Sequence, residues 1–297
     1  MRLDSAPFQV SAFLARCPRL RLSLRPPWRV AGWIAAVCFL LWWISLQQVL
    51  AEEVDLELVL AMDGSGSISE SEYIFQLEGT ARAFEDPAIR TAIRSGPLGR
   101  IAVSVVIWSD AAFQKAHSGW YLLQDDASIV AFANRIRNFH QHTGRKFGIG
   151  GGGTGIGEGI RYSINEINSN AYFGLRRVVD VSGDGVETDP WFQKAVMLPQ
   201  ARQIAANENV VVNGLPILNR DFPHLDGYYR AEVISGPGAF VVVADGFEDF
   251  GRAIHEKLWR EVSYKVAAYE DAPFFVHTAA VDSIPQLTNL STTRKFR

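Results

Sequence analysis

The stretch LVLAMDGSGSIS, Leu58–Ser69, begins as an apolar run and breaks into Asp63-Gly64-Ser65-Gly66-Ser67. Uninterrupted apolar residues of this length, ending abruptly in glycines, read as a strand buried on both faces. A carboxylate and two hydroxyls then stand at the strand's carboxyl end, spaced by glycines that let the backbone turn sharply. Those three oxygens are the first candidate functional groups of the chain.

Working outward, the pattern of buried-type strand and amphipathic helix repeats. VDLELVLAM (54–62) is the first strand, and SESEYIFQLEGTARAF after it carries Tyr73, Ile74, Leu77, Ala81 and Phe84 at helical spacing. Ser69 followed by Glu72 is a capping-box pattern that starts this helix. RIAVSVVIWSD (100–110) is a second strand, GWYLL lies in a short edge strand within 113–124, and a helix is expected over 126–139. A glycine cluster, GIGGGGTGIGEG, leads into a helix with Ile156, Ile160, Ile164 and Ile167 on one face. LRRVVDVSGDG (175–185) is a further strand ending in Asp184. Asp189-Pro190 reads as a helix start, proline being favoured at the first helical position. NVVVNGLPIL and GAFVVVAD read as two more strands, and GFEDFGRAIHEKLW as a closing helix. The expected fold is therefore α/β: a doubly wound, mainly parallel sheet with helices on both faces.

The 297 residues divide unevenly. Six arginines and one acid precede Val30, followed by the uncharged VAGWIAAVCFLLWWISL (30–46) and by Val49 and Ala51, small residues at the −3 and −1 positions of a signal-peptidase site. Residues 1–51 are expected to be a signal peptide or a retained signal anchor. Both place the remainder outside the cytoplasm, since the arginines stay inside. The expected location is periplasmic or secreted, or the inner membrane with the domain on the outer side. Contact with a membrane is expected only through an uncleaved N-terminal segment. Residues 52–263 form one domain in this reading, and 264–297 a polar tail expected to be partly disordered.

Of 29 basic and 32 acidic residues, 23 and 31 lie beyond the leader, a net of −8 there. An acidic body argues against nucleic acid as a partner. Both cysteines, Cys17 and Cys38, are in the leader, so the body has neither disulfides nor thiolate chemistry.

In open α/β sheets, ligands bind outside the carboxyl ends of the strands. Asp63, Ser65 and Ser67 fall at such an end, Thr154 at the start of a helix, and Asp184 after a later strand. These hard oxygens suit Mg²⁺, which prefers octahedral oxygen coordination and retains waters. In this set and order the chain resembles the von Willebrand factor A family with its metal-ion-dependent adhesion site: D-x-S-x-S after the first strand, a Thr before a middle helix, and Asp-Gly after a later strand. The resemblance covers about 210 residues and extends to bacterial stand-alone, exported A-like proteins of undefined function. It implies that Ser65 and Ser67 bind Mg²⁺ or Mn²⁺ directly. Thr154, Asp63 and Asp184 would bind directly or through water, and an Asp or Glu of a protein partner would complete the shell. The loop before Thr154 carries more glycine than the family pattern.

The expected function is thus metal-dependent protein binding by a chain that is not an enzyme. The alternatives are an envelope structural or assembly protein with a stabilising metal, and a metal-dependent phosphohydrolase. The chain has neither a G-x-x-x-x-G-K-[ST] loop nor a G-x-S-x-G elbow. Gly150-x-Gly152-x-x-Gly155 follows a helix, the wrong context for a dinucleotide fingerprint. The six histidines show no zinc spacing. Asp180 is expected to be a structural acid within its strand, Glu158 either a neighbour of the site or a first-turn acid of its helix, and Trp108, Trp120 and Tyr121 either core or rim.

Overall fold

Strand β1 (Glu52–Asp63) is buried from Val54 to its end and bonds to parallel neighbours on both sides. The computed structural model describes residues 51–112, 115–139, 153–188 and 195–263. Beside β1 run β2 (Ile101–Trp108) and β5 (Tyr172–Gly183), and β6 (Val211–Pro216) continues in parallel from β5. Two short antiparallel strands, β3 (Ala116–His117) and β4 (Tyr121–Leu123), close the sheet beyond β2. The order is β3-β2-β1-β5-β6, with β4 also on β2. The chain starts in the middle and winds outward both ways, which is the expected doubly wound α/β arrangement.

Alternation along β1 feeds two cores. Leu56, Leu58, Leu60 and Met62 point to one face, where they meet α1 (Glu70–Glu85), α2 (Pro87–Arg94), α3 (Asp126–Arg137) and α7 (Phe250–Ser263). Val59 and Ala61 point to the other, against α4 (Ile156–Asn168), α5 (Leu198–Asn207) and the short α6 (Leu225–Tyr228). Burying both faces explains why the parallel strands read as continuous apolar runs rather than alternating ones. On the first face, Phe84 of α1 meets Phe132 of α3 edge-on at 5.0 Å, an arrangement favoured by the ring quadrupoles.

The capping box at α1 is formed: Glu72 N–H donates to Ser69 Oγ, and Ser69 N–H to Glu72 Oε2 at 2.8 Å. Other expectations need correction. GAFVVVAD is not a regular strand. It touches β6 through isolated parallel bridges, Gly214 to Val241 and Ile217 to Ala244. Between them stands Pro216, which accepts from Ala244 N–H but has no N–H to return, so the ladder is interrupted. The helix expected from Asp189 is observed only over Leu198–Asn207, with a proline in its first turn; Asp189 and Pro190 lie outside the described residues. Helix α2 was not anticipated, although Asp86-Pro87 carries the same start signal, and Asp86 caps Ala88 and Ile89. The leader up to Leu50, the tail from 264, and Gly150, Gly152, His140, His142 and His277 lie outside the described residues. Among the described residues, no helix is long and apolar enough to cross a membrane.

Candidate metal centre at the carboxyl edge of the sheet

Strand register brings the candidate residues to one edge. Asp63 pairs with Trp108, Met62 with Ser182, and Gly183 with Pro216, so β1, β2, β5 and β6 end together. Directly after Asp63 the chain must turn beneath β2. Gly64 N–H donates to Trp108 O at 2.8 Å, and a Cβ on Gly64 would sit 2.6 Å from Ile107 Cγ2. Only glycine fits this approach.

The turn gathers four of the expected oxygens into a chain. Ser65 N–H donates to Asp63 Oδ1 at 2.7 Å. Ser65 Oγ and Ser67 Oγ are 3.0 Å apart, and Ser67 Oγ donates to Asp184 Oδ1 at 3.0 Å. Ser67 and Asp184 line a cavity of about 680 Å³, and Thr154 lines it too. Thr154 is fixed by its backbone: its N–H donates to Thr188 Oγ1, and its carbonyl accepts from Thr188 N–H, both at 2.9 Å. Thr154 Oγ1 lies 3.7 Å from where a Cβ on Gly185 would stand. The structure therefore brings Ser67, Thr154 and Asp184 to one cavity, with Ser65 and Asp63 behind Ser67.

Several residues that hold this arrangement were not singled out from the sequence. Asn219 Nδ2 donates to Asp184 O at 2.7 Å and fixes the loop after β5. Gln76, wholly buried on α1, reaches Asp63 O at 3.4 Å. Its signal was a polar residue on the apolar face marked by Tyr73, Leu77 and Phe84. Glu187 caps two helices, accepting from Gly157 N–H of α4 at 2.8 Å and from Leu198 N–H of α5 at 2.9 Å. A carboxylate at a helix N-terminus satisfies unpaired N–H groups and favours the dipole. Glu187 thus ties the Thr154 loop to the Asp184 loop. Tyr229, wholly buried, opens a π-helical turn (Tyr229–Val233) beside the same strand ends.

Asp63 is fully buried, and among the described residues its Oδ2 has no hydrogen-bond partner. Burial, then the nearby charge of Asp184, raises its pKa from 3.8 to about 7. Burial raises Asp184 as well, while the hydrogen bond from Ser67 opposes the rise. An unpaired carboxylate oxygen in the interior is expensive unless something cationic or hydrogen-bonding faces it. The donor set consists of two carboxylates and three hydroxyls, all hard oxygens, and so fits a divalent cation of the Mg²⁺ class. Among the described residues there is no cluster of three or more His, Cys, Asp or Glu side chains placed to hold a metal, so any cation here depends on the hydroxyls.

The remaining acids and aromatics have other work. Asp180 pairs with Lys257 Nζ at 3.0 Å inside the α7 contact, the structural role expected for it. Glu158 accepts from Val196 N–H at 2.7 Å and pairs with Arg161, binding the segment before α5 to α4. Trp108 is core, buried against Gly159 of α4, while Trp120 and Tyr121 are half-buried. His117 faces Glu166, and His255 faces Asp86, each at 3.3 Å.

Among solved structures, the chain is similar to the pilus adhesin SpaC of Lactobacillus rhamnosus GG, with TM-score 0.49 and 13% identity over 71% of this chain. It is also similar to proximal thread matrix protein 1 of the mussel byssus, with TM-score 0.46 and 15% identity over 72% of this chain. It spans 31% and 47% of those two chains. The vWF domain of the type V pili tip protein Mfa5 from Porphyromonas gingivalis matches with TM-score 0.42 and 10% identity, over 69% of this chain and 94% of that one. No curated protein matches the chain. A family model described as "Protein of unknown function (DUF1194)" matches residues 53–266, most of the chain, and the protein belongs to that family.

Proposed function

We propose that this chain is a non-enzymatic binding domain that holds Mg²⁺ or Mn²⁺ at the carboxyl edge of its sheet and captures a protein partner through an exposed Asp or Glu. The observation that carries this reading is the linked set Asp63–Ser65–Ser67–Asp184, with Thr154 on the same cavity and, at its root, a buried carboxylate oxygen without a partner among the described residues. Ser65, Ser67 and Thr154 would supply hydroxyl oxygens, and Asp63 and Asp184 the negative charge. A cation held by so few carboxylates stays electrophilic and accepts a further carboxylate oxygen from outside.

Binding is favoured over hydrolysis by the donor set. Two-metal phosphoryl chemistry uses more carboxylates than the pair found here. The leader sequence supports action outside the cytoplasm, in the periplasm, secreted, or tethered at the membrane.

The test is a random peptide display library selected on the full chain in Mg²⁺ and counter-selected in EDTA. Enriched peptides are expected to contain Asp or Glu, to lose binding when that acid becomes Ala, and to release in EDTA. Peptides that bind equally in EDTA, or without an acid, would remove the mechanism.

A further inference from the structure

We propose that Tyr229 is a positioning residue of the cation site: its hydroxyl stands beside Asp63 Oδ2 and becomes that oxygen's hydrogen-bond donor when Asp63 ligates a cation. This inference rests on the cation reading above and adds a residue that no feature of the D-x-S-x-S pattern contains.

The sheet is cut away twice to admit this side chain. A Cβ on Gly214 of β6 would lie 2.7 Å from Tyr229 Cδ1, and a Cβ on Gly183 of β5 would lie 2.9 Å from Tyr229 Oη. Gly214 pairs with Val181, two residues before Gly183, so the two glycines lie on one face of neighbouring strands. The ring therefore lies in a slot across β6 and β5, with its hydroxyl at the carboxyl edge. That same point over Gly183 is 2.9 Å from Asp63 Oδ2. The phenol and the carboxylate both reach the space beside Gly183, a residue with no side chain.

Both atoms are inside the protein and uncommitted. Asp63 and Tyr229 have no exposed surface, and neither Asp63 Oδ2 nor Tyr229 Oη has a hydrogen-bond partner among the described residues. Buried polar groups without partners are uncommon in folded proteins. Two of them beside the same gap at a candidate ligand site are placed to become partners when a cation draws Asp63 into ligation. A phenol is also the right chemistry. Once ionised, a carboxylate accepts hydrogen bonds only, and a phenol hydroxyl can donate one. Tyr229 begins a π-helical turn, a local irregularity frequent at functional sites, and that turn sets where the ring enters.

Residues that orient a metal ligand typically change metal affinity by about 10- to 100-fold when removed. The experiment compares wild type with Tyr229→Phe, which keeps the ring in its slot and deletes only the hydroxyl. Mn²⁺ affinity is measured on the full chain by calorimetry, and unfolding is followed separately in EDTA. A positioning role predicts at least about tenfold weaker Mn²⁺ binding in Tyr229→Phe, with cooperative unfolding retained in EDTA. Unchanged Mn²⁺ affinity in a folded Tyr229→Phe protein overturns the inference and leaves the cation site standing. Absence of Mn²⁺ binding by wild type overturns the cation reading and this inference with it. A second measurement needs no variant at Tyr229: Mg²⁺ added to wild type is expected to produce a tyrosine difference band in the near ultraviolet that Asp63→Asn lacks. No band, with Mg²⁺ demonstrably bound, also overturns the inference.

Discussion

Replacing Asp63 by Asn should make the metal-free protein more stable at alkaline pH while abolishing its response to cations. Asn keeps the shape and the acceptor for Ser65 N–H, 2.7 Å away, but cannot ionise. In the native protein burial, aided by Asp184, raises the pKa of Asp63 from 3.8 to about 7. Below 3.8 the carboxyl is protonated folded and unfolded, and contributes nothing. Between 3.8 and about 7 the unfolded chain has lost the proton that the folded one keeps, so stability falls as pH rises. Above about 7 the loss is complete, and a displacement of this size corresponds to about 4 kcal/mol. The assay is urea unfolding of wild type and Asp63→Asn in EDTA at pH 4 and pH 8.5. The difference between the two proteins isolates this group from every other carboxylate. The variant is expected to gain about 2–4 kcal/mol on wild type between these pH values, and saturating Mg²⁺ should stabilise wild type alone. A difference that does not change with pH would refute the claim that Asp63 is an uncompensated buried acid.

Two further substitutions probe the same reasoning. Ser67→Ala removes the link between Ser65 and Asp184 at an exposed position; stability in EDTA should change by about 1 kcal/mol or less, while Mn²⁺ affinity by calorimetry should fall far more, in proportion to a lost ligand. Lys257→Met leaves Asp180 buried without its cation and should cost about 3–5 kcal/mol in urea unfolding, much of it recovered when Asp180→Asn is added.

How far the sequence led is clearest at particular residues. The apolar runs of β1, β2, β5 and β6 were legible because strands buried on two faces leave no alternation to misread. Ser69 and Glu72 announced α1 because a capping box is local. Asp63, Ser65, Ser67 and Asp184 could be expected at one edge because parallel strands end together. Thr154 reaches their cavity through contacts of its loop with Thr188, Glu187 and Ser109, between segments that are distant in sequence. Tyr229 was invisible for the same reason: its meaning lies in Gly183 and Gly214, on two strands, and nothing in LDGYYRAEV distinguishes Tyr229 from Tyr228 beside it. GAFVVVAD misled because its β-branched residues match a strand, while the residue that breaks its ladder, Pro216, stands on the neighbouring strand. The same Asp-Pro signal was read at Asp189 and overlooked at Asp86, where it starts α2.

The central claim is that Asp63, Ser65, Ser67, Thr154 and Asp184 hold a divalent cation. It is tested most directly by thermal unfolding of the full chain in EDTA, in Mg²⁺ and in Mn²⁺, beside Asp63→Asn. A cation at about 100 times its dissociation constant stabilises the folded state by about 2.7 kcal/mol. The account predicts a clear rise in Tm for wild type in Mg²⁺ or Mn²⁺ and none for Asp63→Asn. Equal Tm values for wild type with and without saturating cation, or an equal rise in the variant, would contradict it.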